Sequence, residues 1–172
     1  WWILVAKKHS KQMYRYFFSP TGIALAGKQT LPVAMVSGLG QSIFSPDGRY
    51  FIAYNSISPT EGAYMDIFDF DRCSGLLSNQ RKIHEGIMRL GGISVSPNSR
   101  YLYQCGRDSF FQYDLHASNL AVFRTLVLVR EPTPAGQLPG RPYLEQLAPD
   151  GRIYITNTNS VRYLHVIDRP DE

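Results

Sequence analysis

The tetrapeptide Ser45-Pro46-Asp47-Gly48 recurs twice in the chain, as Ser96-Pro97-Asn98-Ser99 and as Ala148-Pro149-Asp150-Gly151. The three prolines are 51 and 52 residues apart, and an arginine and then a strand-like segment follow each copy. Proline presets φ at the second position of a turn, Asp or Asn is tolerated at the third, and glycine accepts a positive φ at the fourth. A tight turn between two alternating strands, repeated at this interval, is typical of the blades of a β-propeller.

Ser99 stands where the other two copies have glycine. We therefore expect a positive φ at Ser99. A residue with a side chain is strained in that conformation, so Ser99→Gly is expected to stabilise the fold by roughly 0.5–1 kcal/mol.

A second turn follows later in each repeat. The segment Asp66-Ile67-Phe68-Asp69-Phe70-Asp71 leads into Arg72-Cys73-Ser74-Gly75, and Phe110-Phe111-Gln112-Tyr113-Asp114-Leu115 leads into His116-Ala117-Ser118-Asn119. Each repeat thus predicts four antiparallel strands, a to d, with an a–b turn, a b–c loop, a c–d turn and a d–a loop. The predicted blades are a partial one over residues 1–38, whole ones over 39–86 and 91–130, and a partial one over 143–172.

The fold class predicted from this pattern is all-β, a partial β-propeller of about three to three and a half four-stranded blades. A complete small sandwich is the alternative. The outer faces of the terminal blades are expected to be covered by the rest of the protein's own propeller or by a second copy. No apolar run approaches the ~20 residues of a membrane-spanning helix.

The stretch from Phe68 to Asn79, with its Asp-Arg-Cys-Ser-Gly turn, resembles the propeller region of large secreted proteins associated with gliding motility and exported by the type IX route. Further matching stretches, such as those at 2–5, 14–22, 95–103 and 148–155, extend the resemblance over nearly the whole chain. The resemblance implies a secreted or cell-surface protein. It assigns no reaction and no catalytic residues.

The histidines of the chain occupy four different positions of the repeat and are expected to be surface residues rather than metal ligands; they are His9, His84, His116 and His165. The segment Gly38-Leu39-Gly40-Gln41-Ser42 lacks the third glycine of a dinucleotide loop. Asp66, Asp69 and Asp71 are expected to serve structure rather than to bind a cation. The sequence therefore predicts no catalytic residue, no cofactor and no metal site.

The formal net charge of +4 is concentrated in the predicted b–c and d–a loops. We expect these loops to form a face for an anionic ligand, the alternative being ordinary solvated cations. Its candidate residues are Lys7, Lys8, Lys11, Arg107, Arg130, Arg141 and Arg162. The expected partner is an acidic glycan or another surface protein, and not nucleic acid.

Taken together, these features predict a non-catalytic propeller scaffold of a secreted or cell-surface protein, working in binding or adhesion. The alternative is part of a propeller enzyme, a lactonase or another hydrolase, with its active residues in further blades. Whether Cys73 and Cys105 are separate thiols or a disulfide is left open.

Overall fold

The computed structural model describes residues 1–35, 40–55, 62–86, 91–106, 108–120, 124–129, 140–159 and 161–172. Every regular element in these ranges is a β-strand. The strands form four antiparallel sheets in which sequential strands are neighbours. The predicted all-β propeller class is confirmed.

The first sheet contains β1 (Trp2–Ala6), β2 (Ser10–Ser19) and β3 (Gly22–Met35). The second contains β4 (Gly40–Phe44), β5 (Tyr50–Asn55), β6 (Ala63–Asp71) and β7 (Leu76–Gly86). The third contains β8 (Ile93–Val95), β9 (Tyr101–Cys105), β10 (Ser109–Asp114) and β11 (Arg124–Val129). The fourth contains β12 (Pro142–Leu147), β13 (Ile153–Asn157) and β14 (His165–Ile167).

The first strands of the second, third and fourth sheets lie side by side, since β8 contacts both β4 and β12. We call β4, β8 and β12 the innermost strands. Buried apolar residues fill each of the three gaps between successive sheets. Each gap has core residues from both of its sheets, such as Met13 and Phe51 in the first, Ile52 and Ile93 in the second, and Tyr103 and Ile155 in the third.

The three recurring turns adopt the backbone that their sequences predict. The φ angles are 69° at Gly48, 62° at Ser99 and 81° at Gly151. The expectation of a positive φ at Ser99 is therefore confirmed. In the first turn the Ser45 hydroxyl donates to Asp47 Oδ1 at 2.6 Å, and the same oxygen accepts the Arg49 N–H at 3.0 Å. These bonds explain why Ser and Asp are used there.

The two cysteines are separate thiols, Cys73 being exposed and Cys105 buried. The Cys105 thiol donates to the Tyr143 carbonyl oxygen at 3.1 Å. This contact joins the third sheet to the fourth, close to the innermost strands.

Candidate functional site

The five described basic residues among those predicted to bind an anion are distributed over the first and fourth sheets. Lys7, Lys8 and Lys11 are exposed on the β1–β2 hairpin. Arg162 is exposed just before β14, whereas Arg141 is half-buried and its carbonyl accepts the Thr158 N–H at 2.8 Å. Arg107 and Arg130 lie outside the described residues. The anionic-ligand face stays a prediction.

A different group of polar residues is buried at the start of the fourth sheet, and its centre is Glu145 on β12. It lies three positions before Ala148, the first residue of its turn, which places it where the earlier repeats have Ser42 and Ile93. The β12–β13 register shifts between Pro142 and Glu145. Such bulges re-aim a side chain and are frequent beside active sites.

The Glu145 carboxyl group is held away from water. The residue is 1% exposed, and neither carboxyl oxygen has a hydrogen-bond partner among the described residues. Burial raises the pKa of Glu145 to about 8, and the nearby Cys105 thiol and main chain offset part of that rise. An acid of this pKa keeps its proton at pH 7.

Cys105 shares this environment. Burial, followed by the neighbouring Glu145, raises the pKa of the Cys105 thiol well above its ordinary value. The thiol is therefore protonated at neutral pH, which fits its hydrogen bond to the Tyr143 carbonyl and makes it a poor nucleophile.

Gln41 fixes the main chain of Glu145 from across the innermost strands. Its Nε2 donates to the Glu145 carbonyl oxygen at 2.6 Å, and its Oε1 accepts the N–H groups of Glu145 at 3.3 Å and of Ile93 at 3.1 Å. One side chain on β4 thus binds both β8 and β12. This clamp holds the acid-bearing strand in place.

Gly92 provides the space for this clamp. A Cβ atom on Gly92 would lie 2.6 Å from the Tyr143 carbonyl oxygen, 2.7 Å from Gln41 Oε1 and 2.8 Å from the Glu145 nitrogen. Real Cβ atoms do not approach so closely, so a side chain at this position would displace Gln41 and β12.

His165 lies on the same face of the fourth sheet as Glu145. Ile155 pairs with Glu145 on one side and with His165 on the other, which places the two polar residues two strand spacings, or ~10 Å, apart. The His165 ring packs edge-on against Phe110, with 6.0 Å between ring centroids. Burial lowers the pKa of His165, and its Nε2 has no partner among the described residues.

The surface position expected for the histidines is correct for three of them. His9, His84 and His116 are exposed, whereas His165 is partly buried between the third and fourth sheets. The physical reason is its cross-strand alignment with Ile155, a core residue, which was not visible before the register was known.

Two further side chains bring unpaired polar atoms to the start of the fourth sheet. Arg141 Nε and Asn157 Oδ1 are buried without a hydrogen-bond partner in the described parts of the chain. Asn157 Nδ2 donates to the Tyr163 carbonyl at 2.9 Å. Buried polar groups that lack partners are costly. Such atoms also occur in the other sheets, but those of Arg141, Glu145, Asn157 and His165 lie on one sheet beside an acid of raised pKa, which marks a candidate functional site.

Two of the aspartates of β6 make structural contacts. Asp66 is buried, accepts Gln80 Nε2 at 2.8 Å and lies 4.0 Å from Lys82 Nζ. Asp71 accepts the Cys73 N–H at 2.9 Å and so caps the turn. Among the described residues, no group of three or more His, Cys, Asp or Glu side chains is placed to hold a metal ion.

A buried, protonated carboxyl group can act as a general acid and, after losing its proton, as a general base. Glu145 is a described residue whose raised pKa suits that chemistry. Glu145 was not predicted from the sequence, because a lone glutamate in a strand is ordinary. The available signal was a charged residue at a repeat position that Ser42 and Ile93 otherwise hold.

No protein-family model matches the chain, and no curated protein does either. Solved structures do match. The periplasmic gluconolactonase of Pseudomonas aeruginosa is 18% identical, with a TM-score of 0.63 over 98% of this chain and 52% of its own. Hydrazine synthase of Kuenenia stuttgartiensis is 16% identical, with a TM-score of 0.60. That match covers 95% of this chain and 54% of the hydrazine synthase chain.

A gluconolactonase of Xanthomonas campestris is 17% identical, with a TM-score of 0.53 over 88% of this chain and 44% of its own. The chain thus spans about half the length of these structures. At such low identity the likeness establishes the fold, which is a propeller and not a small sandwich.

These neighbours contradict the prediction of a non-catalytic binding or adhesion scaffold, because two of them are lactone-hydrolysing enzymes. The resemblance to gliding-motility proteins stays a prediction. Within the described residues no helix is long and apolar enough to cross a membrane.

Proposed function

We propose that the chain is part of a β-propeller hydrolase that opens the lactone ring of a sugar acid, with Glu145 as its acid–base residue. The observation that carries this proposal is the buried Glu145 carboxyl group, with both oxygens unpaired and a pKa raised to about 8. The gluconolactonases among the structural neighbours support the choice of reaction.

Lactone hydrolysis requires proton transfers that such a group can perform. Water adds to the lactone carbonyl carbon, and the bond between that carbon and the ring oxygen breaks. Protonated Glu145 gives its proton to the leaving ring oxygen, and its carboxylate takes up the proton that the water loses. The residue ends in its starting state, and the product is the open-chain hydroxy acid.

The neighbours of Glu145 serve to position it. Gln41 binds both main-chain groups of Glu145, and Gly92 leaves room for this contact. Exclusion of water keeps the carboxyl group protonated until substrate binds. On the same sheet, the Nε2 atom of neutral His165 and the side-chain Oδ1 atom of Asn157 would bind substrate hydroxyl groups.

We further propose that the protein works outside the cytoplasm. The resemblance to exported proteins and the periplasmic location of one structural neighbour support this. Fractionation of the source cells with an antibody to the protein tests the proposal, and recovery in the cytoplasmic fraction contradicts it.

The reaction is tested by pH-stat assay of the purified protein with glucono-δ-lactone and a panel of other aldonolactones. We expect hydrolysis above the uncatalysed rate, and a loss of kcat of about 10²-fold or more in Glu145→Gln. Glu172→Gln is the matched control, because Glu172 is exposed. The activity of this variant should stay at the wild-type level. Absence of hydrolysis with every lactone, or equal kcat in Glu145→Gln and wild type, would overturn the proposal.

A further inference from the structure

The sulfur of Cys105 lies where β9 meets the main chain of two other strands. Cys105 is buried at the end of β9, and its sulfur accepts the Gly92 N–H, just before β8, at 3.2 Å. The thiol donates its single hydrogen to the Tyr143 carbonyl oxygen on β12 at 3.1 Å. The Gly92 carbonyl is a poorer acceptor, because it lies 3.9 Å from the sulfur and already accepts the Cys105 N–H at 3.2 Å. The sulfur is thus fixed between main-chain groups.

The Glu145 carboxyl group is adjacent to this thiol, but the two are not hydrogen-bonded. Neither carboxyl oxygen has a hydrogen-bond partner among the described residues. The groups still influence each other. After burial, the Cys105 side chain is the next influence on the pKa of Glu145, which it lowers, and Glu145 is the next cause of the raised pKa of Cys105. While Glu145 is protonated, the thiol therefore donates to the main chain rather than to the acid beside it.

The strands around Glu145 supply no cation. Strands β4, β8, β9, β12 and β13 contain no Lys, Arg or His. Arg141 lies just before β12, where its carbonyl accepts the Thr158 N–H. Side chains alternate along a strand, so Thr158 and its partner Arg141 lie on the opposite face of the sheet from Ile155 and Glu145.

Two other titratable side chains share the gap between the third and fourth sheets with Glu145. Tyr103 on β9 is committed elsewhere, because its hydroxyl donates to the Pro170 carbonyl at 3.0 Å. His165 on β14 lies two strand spacings away, and burial lowers its pKa, which favours the neutral ring. A carboxylate at Glu145 would consequently depend on the Cys105 thiol for a side-chain hydrogen bond.

We propose that Cys105 is a positioning residue for Glu145: whenever the carboxyl group loses its proton, the thiol turns its S–H from the Tyr143 carbonyl to the new carboxylate. Only the thiol hydrogen moves, by rotation about the Cβ–Sγ bond, while the sulfur keeps the Gly92 N–H. The proton that Glu145 loses goes to the leaving ring oxygen, and the proton it regains comes from water, so the thiol keeps its own. The catalytic role rests on the proposed function, whereas the rotation depends on the protonation of Glu145 alone.

The chemistry of a thiol suits this movement. An S–H group is a weak donor, so leaving the Tyr143 carbonyl costs little. A hydrogen bond to a charged acceptor is roughly twice as strong as one between neutral groups, so the carboxylate draws the S–H away from the carbonyl. Burial holds the pKa of Cys105 well above its ordinary value, so the sulfur does not ionise in place of the acid. Cys105 thus eases the ionisation of Glu145 without keeping it ionised at neutral pH.

Infrared spectroscopy of the S–H stretching band tests the rotation in the folded protein. The second thiol, Cys73, is exposed, and Cys73→Ser removes its band. In that background we expect the Cys105 band to shift to lower frequency as Glu145 titrates, with a midpoint at about pH 8, because a stronger hydrogen bond weakens the S–H bond. Glu145→Gln cannot ionise and should hold the band at its low-pH frequency.

Three infrared results would overturn the proposal. A band that stays fixed across the Glu145 titration shows that the thiol does not turn. A band that disappears with the same midpoint shows that the thiol, and not the carboxyl group, is the group that ionises. A shift that persists in Glu145→Gln shows that another group causes it.

Substitutions at Cys105 give an independent measurement, the titration midpoint of the Glu145 carboxyl group. Cys105→Ala removes the donor, and the midpoint should rise by about 1 pH unit. Cys105→Ser supplies a stronger donor and should return the midpoint to the wild-type value or below it. Cys73→Ala is the matched control and should leave the midpoint unchanged. Loss of packing alone would affect both Cys105 variants alike, so equal midpoints in the two would overturn the proposal.

The catalytic part of the role is read from the pH dependence of kcat for lactone hydrolysis. The limb that reports Glu145 should move with the midpoint, upward in Cys105→Ala and back in Cys105→Ser. If no lactone is hydrolysed but the S–H band still shifts with Glu145, the proposed reaction is wrong and the thiol contact stands. If lactones are hydrolysed and the band does not shift, the proposed function stands and this inference is overturned.

Discussion

The main-chain N–H of Asp47 donates a hydrogen bond to the Ser99 hydroxyl oxygen at 2.9 Å. This bond ties the a–b turn of the second sheet to that of the third. Ser99 is 2% exposed and has a positive φ, so a strained serine is kept where the other repeats have glycine. The Asn98 N–H makes a similar bond to Asp171 Oδ1 at 3.0 Å, which links the third sheet to the chain beyond β14.

The Asp47–Ser99 bond changes the expected effect of Ser99→Gly. Glycine relieves backbone strain worth roughly 0.5–1 kcal/mol, but it removes a hydrogen bond worth about 1 kcal/mol. We now expect little net change in the free energy of unfolding. Ser99→Ala loses the bond and keeps the strain, so it should destabilise by about 1–2 kcal/mol in urea denaturation. Equal stability of the glycine and alanine variants would contradict this account.

Gly92→Ala is expected to destabilise the protein by about 1–3 kcal/mol, because the new methyl group overlaps Tyr143, Gln41 and Glu145. The position has no positive φ, so the effect reports packing rather than backbone strain. The double variant with Gln41→Ala should recover only part of the loss, since the Tyr143 carbonyl still obstructs the methyl group. Chemical denaturation measures both, and wild-type stability of Gly92→Ala would disprove the close approach.

Gln41→Leu removes the three hydrogen bonds that join β4 to β8 and β12. We expect a loss of about 2–3 kcal/mol in unfolding free energy. Gln12→Leu is the matched control, because Gln12 makes one exposed side-chain bond, to Thr30 at 2.8 Å within its own sheet. Its cost should stay below about 1 kcal/mol. Similar losses of unfolding free energy in the two variants would show that the Gln41 side chain does not hold the three strands together.

The stability of the protein should depend on pH through Glu145. Its pKa is raised from 4.5 to about 8 on folding, so the folded state prefers the protonated acid. The free energy of unfolding is therefore highest below pH 4.5, where Glu145 is protonated in both states. It falls by up to roughly 5 kcal/mol as the pH rises from 4.5 to 8. Glu145→Gln should match wild type near pH 4.5 and exceed it at pH 8. Parallel pH profiles of the two proteins in denaturant titrations would refute this assignment.

The repeat was readable from the sequence because turn chemistry is local. Proline, Asp or Asn, and glycine specify the a–b turn wherever they occur, and even the positive φ at Ser99 followed from its position. The Asp47–Ser99 bond did not follow, because it depends on how two turns approach each other in space.

The candidate site was not predictable for the same reason. Glu145 is turned inward by a bulge in β12, and His165 is brought to the same face by strand pairing. Neither the bulge nor the pairing has a signature in a single sequence. The predicted loop cations depend on composition alone, and their shared role awaits a binding measurement.

The proposed role of Glu145 depends on its being protonated at neutral pH, and carbon-13 NMR titration of its side-chain carboxyl group measures this protonation state. Glu145→Gln identifies the resonance by its disappearance. We expect a titration midpoint at about pH 8. A midpoint near the ordinary value of 4.5 would show that the carboxyl group is ionised and solvated at neutral pH, and would contradict its role as a buried acid.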